Sequence, residues 1–397
     1  MKNIPTEWTK ELLRTVCHKT EMWIPNKDKR DSFHYIDVSS VSNNTFTIKE
    51  ASLVKADDAP GRARKIVKWQ DTIFATIRPS LKRVAFISQE YDNQIASTAF
   101  CVVRPNQKHV TPLYVYFFLL SDLLNIEING LQHGASYPAI TDKDVLNQTI
   151  PLPPLSEQQK IAAIIYKIQK AIEIQESIIE KTRELKKSTL HHVFTHGLRG
   201  EKFKETEIGP MPESWSVQRF EEFATLHRGY DLPIQDRTSD TVPIVGSNGI
   251  VGYHNQSKVK GPGVVTGRSG SIGISYYVAD DYWPLNTGLY VEDFHGNDPL
   301  YVHYFFQSFD FGQYAAGVSV PTLNRNIVHA ALIFVPQIRE QKEIANILKT
   351  IDQKIELHTA QKSALQDLFK TMLNKLMTGE IRVKDLDIDV SEVESCA

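Results

Sequence analysis

Cysteine is scarce in this sequence: Cys17, Cys101 and Cys396 are the only three in 397 residues. An odd number at wide spacing supports neither a disulfide framework nor a zinc knuckle, and a reducing cytoplasm is the expected location. Long apolar runs are lacking too. The longest, Leu113 to Leu120, falls far short of the roughly 20 residues of a membrane span, and Met-Lys-Asn-Ile-Pro lacks the apolar run of a signal peptide. No membrane association is expected. Nor is there an excess of one charge: 45 Lys and Arg against 47 Asp and Glu leave a net −2, which excludes a uniformly basic nucleic-acid coat but not local basic patches. Signatures of catalysis are missing as well. Gly267-Arg-Ser-Gly-Ser-Ile-Gly273 is followed by no Gly-Lys-Ser/Thr, and Ser269 has no Gly-x-Ser-x-Gly frame. His192 and His196 are four apart on a helical stretch but lack a third ligand. No paired carboxylates, metal-nuclease motif or Asn/Asp-Pro-Pro-aromatic element occurs. The expected catalytic and metal inventories are therefore empty, and the residues point to binding.

What the sequence does hold is a repeat. Residues 153–199 align without a gap on 336–382, with fourteen of 47 positions identical at a shift of 183. Upstream, Gly134-Ala-Ser136-Tyr137-Pro138 mirrors Gly317-Val-Ser319-Val-Pro321, and Pro112-Leu-Tyr-Val-Tyr-Phe-Phe118 mirrors Pro299-Leu-Tyr-Val-His-Tyr-Phe305. Between these markers the halves diverge. Two copies of one domain, each followed by a nearly common segment, account for this pattern.

The common segments read as long helices. Ser156-Glu-Gln-Gln159 has the form of a capping box with Ser156 as N-cap, and Gly197 and Gly379 lie near the far ends. Ile161, Ile165, Ile168 and Ile172 keep the 4,3 spacing of a coiled-coil seam, as do Ile344, Leu348, Ile351 and Ile355. Pairing of the repeats about a pseudo-twofold axis would be antiparallel and would bring the equivalent Gln175 and His358 near the middle, as a polar pair that sets the register or simply faces solvent. The globular repeats read as mixed α and β. In the first, 66–77, 83–87 and 98–103 have strand composition and 113–125 that of a helix. In the second, the strands fall at 263–266, 272–278 and 287–291, and the helix at 300–307.

Candidate nucleic-acid ligands follow from charge. Between Gly61 and Arg83 the chain carries Arg62, Arg64, Lys65, Lys68, Arg78, Lys82 and Arg83 against Asp71 alone, a phosphate-binding density. The second copy offers Arg228, Tyr230, His254, Lys258, Arg268, Ser269 and Ser271, side chains of the kinds that read base edges or phosphates. Ser136, Tyr137, Asn324 and Arg325, in and after the Gly-x-Ser-x-Pro elements, complete the set.

With Pro151-Leu-Pro-Pro-Leu-Ser-Glu-Gln-Gln-Lys-Ile-Ala162, its second copy Val335-Pro-Gln-Ile-Arg-Glu-Gln-Lys-Glu-Ile-Ala345, and the alternation of globular part and long helix, the chain resembles the specificity subunit of type I restriction-modification enzymes from Pro5 to Val383. The resemblance implies an α+β fold with two homologous target recognition domains and two long helices forming an antiparallel coiled coil. The implied boundaries are 1–154 and 201–335 for the domains, 155–200 and 336–383 for the helices, and 384–397 for an acidic, disordered tail. It further implies that each domain reads one half of a bipartite double-stranded DNA site. Two methyltransferase subunits and restriction subunits are the implied partners, and S-adenosylmethionine, ATP and Mg the cofactors of those partners, with none in this chain. Arg339 stands where the second helix would have its N-cap Ser, so a shifted helix start is expected there. A type II-like or methylation-only system, and a coiled-coil protein adaptor, are the competing readings.

Overall fold

The computed structural model describes residues 4–25, 28, 30–133, 138–269, 271–316, 322–391 and 393. The chain forms two compact units, Met1–Ser177 with Thr359–Ala397, and Ile178–His358. Among the described residues the α-helices are α1 (Pro112–Leu120), α2 (Asp122–Gly130), α3 (Asp142–Leu146), α4 (Leu155–His196), α5 (Phe220–Phe223), α6 (Pro299–Ser308), α7 (Arg325–His329) and α8 (Ile338–Met377). None is long and apolar enough to cross a membrane. The two long ones, α4 and α8, each give one half to each unit.

In the first unit the head carries β1 (Thr9–Leu12), β2 (Cys17–His18), β3 (Ser32–Ile36), β4 (Ser52–Lys55), β5 (Ala63–Ile66), β6 (Thr72–Ala75), β7 (Val84–Phe86), β8 (Ile95–Ser97), β9 (Phe100–Pro105) and β10 (Thr149–Leu152). Two four-stranded sheets, in the orders β2-β9-β6-β7 and β4-β3-β8-β5, accompany an antiparallel β1–β10 pair. The expected strand 66–77 is in fact two, because Asp71 Oδ2 accepts from the Lys68 N–H (2.8 Å) and turns the chain between them. Every residue of α1 is buried, as an all-apolar helix requires. The expected helix 113–125 breaks at Ser121, whose hydroxyl donates to the Phe118 carbonyl (2.7 Å), and α2 starts anew at Asp122. The core of this unit joins α1, Trp8 and Leu13 to Ile161, Ala162 and Ile165 of α4 and to Phe369, Leu373 and Leu376 of α8.

The second unit repeats the plan. It carries β11 (Phe203–Thr206), β12 (Gly209–Pro212), β13 (Ser216–Arg219), β14 (Thr225–Arg228), β15 (Val242–Gly246), β16 (Gly249–His254), β17 (Gly263–Gly267), β18 (Ser275–Val278), β19 (Trp283–Pro284), β20 (Gly288–Asp293), β21 (Ala315–Ala316), β22 (Thr322–Leu323) and β23 (Leu332–Val335). Its four-stranded sheet, β14-β20-β17-β18, has the connectivity of β2-β9-β6-β7, and β13 pairs with β23 as β1 pairs with β10. Its core joins Tyr301, Val302 and Phe306 of α6 to Val193 of α4 and to Ile344 and Leu348 of α8.

The helix halves run antiparallel within each unit. Glu176 pairs with Lys362 (3.3 Å) in the first, where Glu157 at the start of α4 meets Arg382 beyond the end of α8 (2.8 Å). In the second, Lys186 pairs with Asp352 (2.7 Å), and Glu340 at the start of α8 accepts from the Leu198 N–H beyond the end of α4 (2.7 Å). The seam is partly head core: Ile161, Ile165, Ile172, Ile344 and Leu348 are buried, whereas Ile168, Ile351, Ile355, Gln175 and His358 are half-buried.

Two expectations are corrected here. Ser156 is not an N-cap: α4 begins at Leu155, and the Glu157 and Gln158 N–H groups donate to the Pro154 carbonyl (2.9 and 3.0 Å). The Gln158 side chain is engaged elsewhere, accepting from the Thr111 N–H that opens α1 (2.9 Å), and Gln341 does the same for Asp298 before α6 (3.0 Å). Consequently Arg339 shifts nothing, and α8 starts at Ile338, the repeat partner of Leu155. The tail is not wholly disordered either. Lys384 accepts from Lys160 through its carbonyl (2.8 Å), and Ile388, Val390 and Val393 join the first core, Val393 being 2% exposed.

Candidate nucleic-acid interface

Strand alternation decides the fate of the basic run. In β5, Ala63 and Lys65 point inward while Arg64 is half-buried on the other face. Lys65 is 8% exposed and gives its ammonium to Asp142 and to the Phe100 carbonyl, so it braces the head and is unavailable to phosphate. Arg83 is likewise turned inward, donating to the Val38 and Val41 carbonyls (2.8 and 2.6 Å). Lys82 reaches Asp122 (3.0 Å), and Arg64 lies over the Trp23 ring (5.8 Å) while donating to the Ala63 carbonyl (2.7 Å). Arg62 and Arg78 remain on the surface.

Those two arginines flank a backbone frame. The Thr76 N–H donates to the Ala99 carbonyl (2.8 Å), the Ile140 N–H donates to the Thr76 carbonyl (2.9 Å), and Ile77 bridges Ala139. Arg78 continues it, its N–H donating to Pro138 (2.7 Å), and the Thr98 N–H donates to the Arg62 carbonyl (2.8 Å). The loop leaving β6 is thus fastened to the chain just after the Gly-x-Ser-x-Pro element; Ser136 and Tyr137 themselves lie outside the described residues.

The second head builds the same frame from different residues. The Arg268 N–H donates to the Thr287 carbonyl (3.1 Å), the Leu323 N–H to the Arg268 carbonyl (2.8 Å), and Ser269 bridges Thr322. Ile140 and Leu323, and Ala139 and Thr322, are repeat partners, so Arg268 occupies the place of Thr76 and Ser269 that of Ile77. Gly267 is required where the loop doubles back, since a Cβ there would lie 2.1 Å from the Ser271 carbonyl oxygen. Ser271 Oγ donates to Asn248 Oδ1 (2.5 Å), and the Ser247 N–H donates to Thr287 Oγ1 (3.3 Å), which brings the β15–β16 turn to the same place.

Beside this cluster, 228–231 runs along 284–288, with the Tyr230 N–H donating to Pro284 (2.8 Å) and the Asn286 N–H to Tyr230 (3.1 Å). Arg228 is 52% exposed, 4.0 Å from Asp231, and Tyr230 is 37% exposed. Lys258 lies over the Trp283 and Tyr230 rings (5.0 and 6.0 Å). Burial, and then the Tyr230 hydroxyl at 3.2 Å, push the Tyr290 phenol up, keeping it neutral. Arg228, Tyr230, Lys258, Arg268, Ser269 and Ser271 therefore share one polar, basic and aromatic neighbourhood.

Three further sequence candidates are engaged in the head's own structure. His254 is buried, with Nδ1 3.1 Å from Thr238 Oγ1 and its ring edge-on to Trp283. Asn324 caps α7 by accepting from the Asn326 N–H (3.1 Å), and Arg325 donates to the Leu226 carbonyl (3.4 Å). Asn248, Thr287 and Trp283 were not singled out from sequence. Asn248-Gly249 is a hairpin-turn signature that could have flagged the first; the others carry no local signal. His192 and His196 stack at 5.0 Å, but among the described residues no three metal-ligating groups converge.

Comparison with known proteins places the fold in a family. The family described as type I restriction modification DNA specificity domain matches residues 5–183 and 212–367. A putative type I restriction enzyme MjaX specificity subunit from Methanocaldococcus jannaschii is 24% identical over 96% of this chain and 95% of its own. The type I restriction enzyme HindI specificity subunit of Haemophilus influenzae is 31% identical over 38% of this chain and 33% of its own. Among solved structures, the S subunit of a type I restriction-modification system from M. genitalium superposes with TM-score 0.64 at 16% identity, covering 95% of this chain and 97% of that one, a likeness of fold. A chain from the type I R-M system, solved for its complex assembly and conformational transition, gives 0.61 at 23% identity over 96% of this chain and 100% of that one. Duplicated heads, paired long helices and a family match across both copies lead to one conclusion: this chain belongs to the type I restriction-modification specificity subunits.

Proposed function

We propose that this chain is the DNA-reading subunit of its enzyme, each head contacting one half of a bipartite double-stranded site while the paired helices fix the spacer and dock two methyltransferase subunits. The observation that carries this reading is the duplicated frame. One backbone arrangement holds Thr76-Ile77-Arg78 in the first head and Arg268-Ser269 in the second, so the scaffold is kept while the residues built on it change, the buried Thr76 giving way to the half-buried Arg268. That is the relation expected of two readers of different short sequences, because base edges are distinguished by side-chain donors and acceptors and not by the frame that holds them. Tethering then multiplies two weak recognitions, and loss of either half-site removes the gain. S-adenosylmethionine belongs to the methyltransferase partners and ATP with Mg to restriction subunits; the chemistry is theirs and the address is this chain's.

The test is the methylation pattern of genomic DNA in cells with and without this gene. A bipartite motif of fixed spacer that disappears on deletion supports the reading. An active methyltransferase partner whose motif is unchanged by the deletion contradicts it.

A further inference from the structure

Outside the frame, one set of bonds ties the first head to the helices within its own unit. Asp122, the first residue of α2, donates its N–H to Asn374 Oδ1 of α8 (3.0 Å) and accepts from Asn374 Nδ2 on Oδ2 (2.8 Å). Its other oxygen takes the Lys82 ammonium (3.0 Å), which also reaches the Leu120 carbonyl (3.4 Å). Lys82 ends the loop that begins at Thr76, and both Arg78 and Lys82 sit in the left-handed region, at φ 49° and 50°. Neither is glycine, so the path of this loop is imposed by its contacts and not by local preference. Burial alone would raise the Asp122 carboxyl, but Lys82 and Asn374 outweigh it and hold it below the usual carboxylate range, which keeps the relay charged. The second unit differs at this place. The repeat partner of Asn374 is His191, which with Phe194, Ser308 and Asp310 lines a 280 Å³ cavity.

We propose that Asn374 and Asp122, with Lys82, are positioning residues that fix the first head's recognition loop on α8 and thereby set how strictly the enzyme measures its spacer. This rests on the bipartite reading above. The experiment uses the full chain co-expressed with its methyltransferase subunit, scored on DNA carrying the genomic site and the same half-sites with one base pair more or fewer between them. Asn374→Leu is expected to cut spacer discrimination from about tenfold or more to about threefold or less, with half-site preference and melting temperature retained. Exchanging the partners, Asp122→Asn with Asn374→Asp, restores the reciprocal bonds between 122 and 374 but leaves Lys82 an amide oxygen in place of a carboxylate, and is expected to recover discrimination in part; His191→Leu is expected to leave it unchanged. Undiminished discrimination in Asn374→Leu overturns the proposal, as does an equal loss at every spacer accompanied by lower melting. If the wild-type protein itself measures no spacer, the bipartite reading has failed and this proposal with it.

Discussion

Lys65 shows how misleading charge density is at the level of a single residue. A lysine in a run of seven cations invites a phosphate, yet alternation along β5 turns it inward onto Asp142 and Phe100. Because its partner carboxylate is partly exposed, Lys65→Met is expected to cost about 1–3 kcal/mol of head stability, read as a lower melting temperature, while the sequence preference of the remaining folded protein stays the same. Arg228 and Lys258 are the opposite case, surface cations beside exposed Tyr230. Their double replacement by Ala should weaken DNA binding about tenfold near 0.1 M salt and reduce the slope of log affinity against log salt by about 1–2, measured by titration at several ionic strengths. An unchanged slope would mean that neither touches phosphate. Glu157 supplies a pH signature. Burial favours its neutral form, but Arg382 at 2.8 and 3.0 Å outweighs this and holds the carboxyl below the usual glutamate range. A depressed acid stabilises the fold above its unfolded value and loses that contribution as pH falls, so melting temperature should fall more steeply below about pH 4.5 in the wild type than in Glu157→Gln.

Among the elements, α4 and α8 were the most legible, because a 4,3 apolar spacing over some forty residues has few other solutions. Their starts were not legible. Ser156-Glu157-Gln158 has the letters of a capping box, but Gln158 is committed to opening α1 and Glu157 to Arg382, so Pro154 ends up as the cap. That commitment is tertiary, and no local pattern announces it. The acidic tail illustrates the same limit: its charge reads as solvated, whereas Val393 is buried and Ile388 and Val390 pack half-buried against the first core. Deleting residues 385–397 should destabilise the first unit by about 2–4 kcal/mol, measured by thermal or denaturant unfolding. Of the interface, the sequence marked Arg228, Tyr230, Lys258 and the Arg268–Ser271 loop; the equivalence of Arg268 with Thr76 became visible only through backbone bonds, since the strands between them share little sequence.

Across the whole chain, near-neutral net charge is the sum of unlike parts. Basic loops sit at the frames, many other cations brace the heads and helices, and the carboxylates answer them in pairs such as Glu176–Lys362 and Lys186–Asp352. The duplicated plan then makes a claim about independence: if each head carries its own frame, each should carry its own half of the address. The most direct measurement replaces residues 10–140 with the corresponding head of another specificity subunit and maps the methylated motif in cells that also make the methyltransferase subunit. One half-site is expected to change while the other is retained. A motif altered in both halves, or in neither while methylation persists, would contradict it.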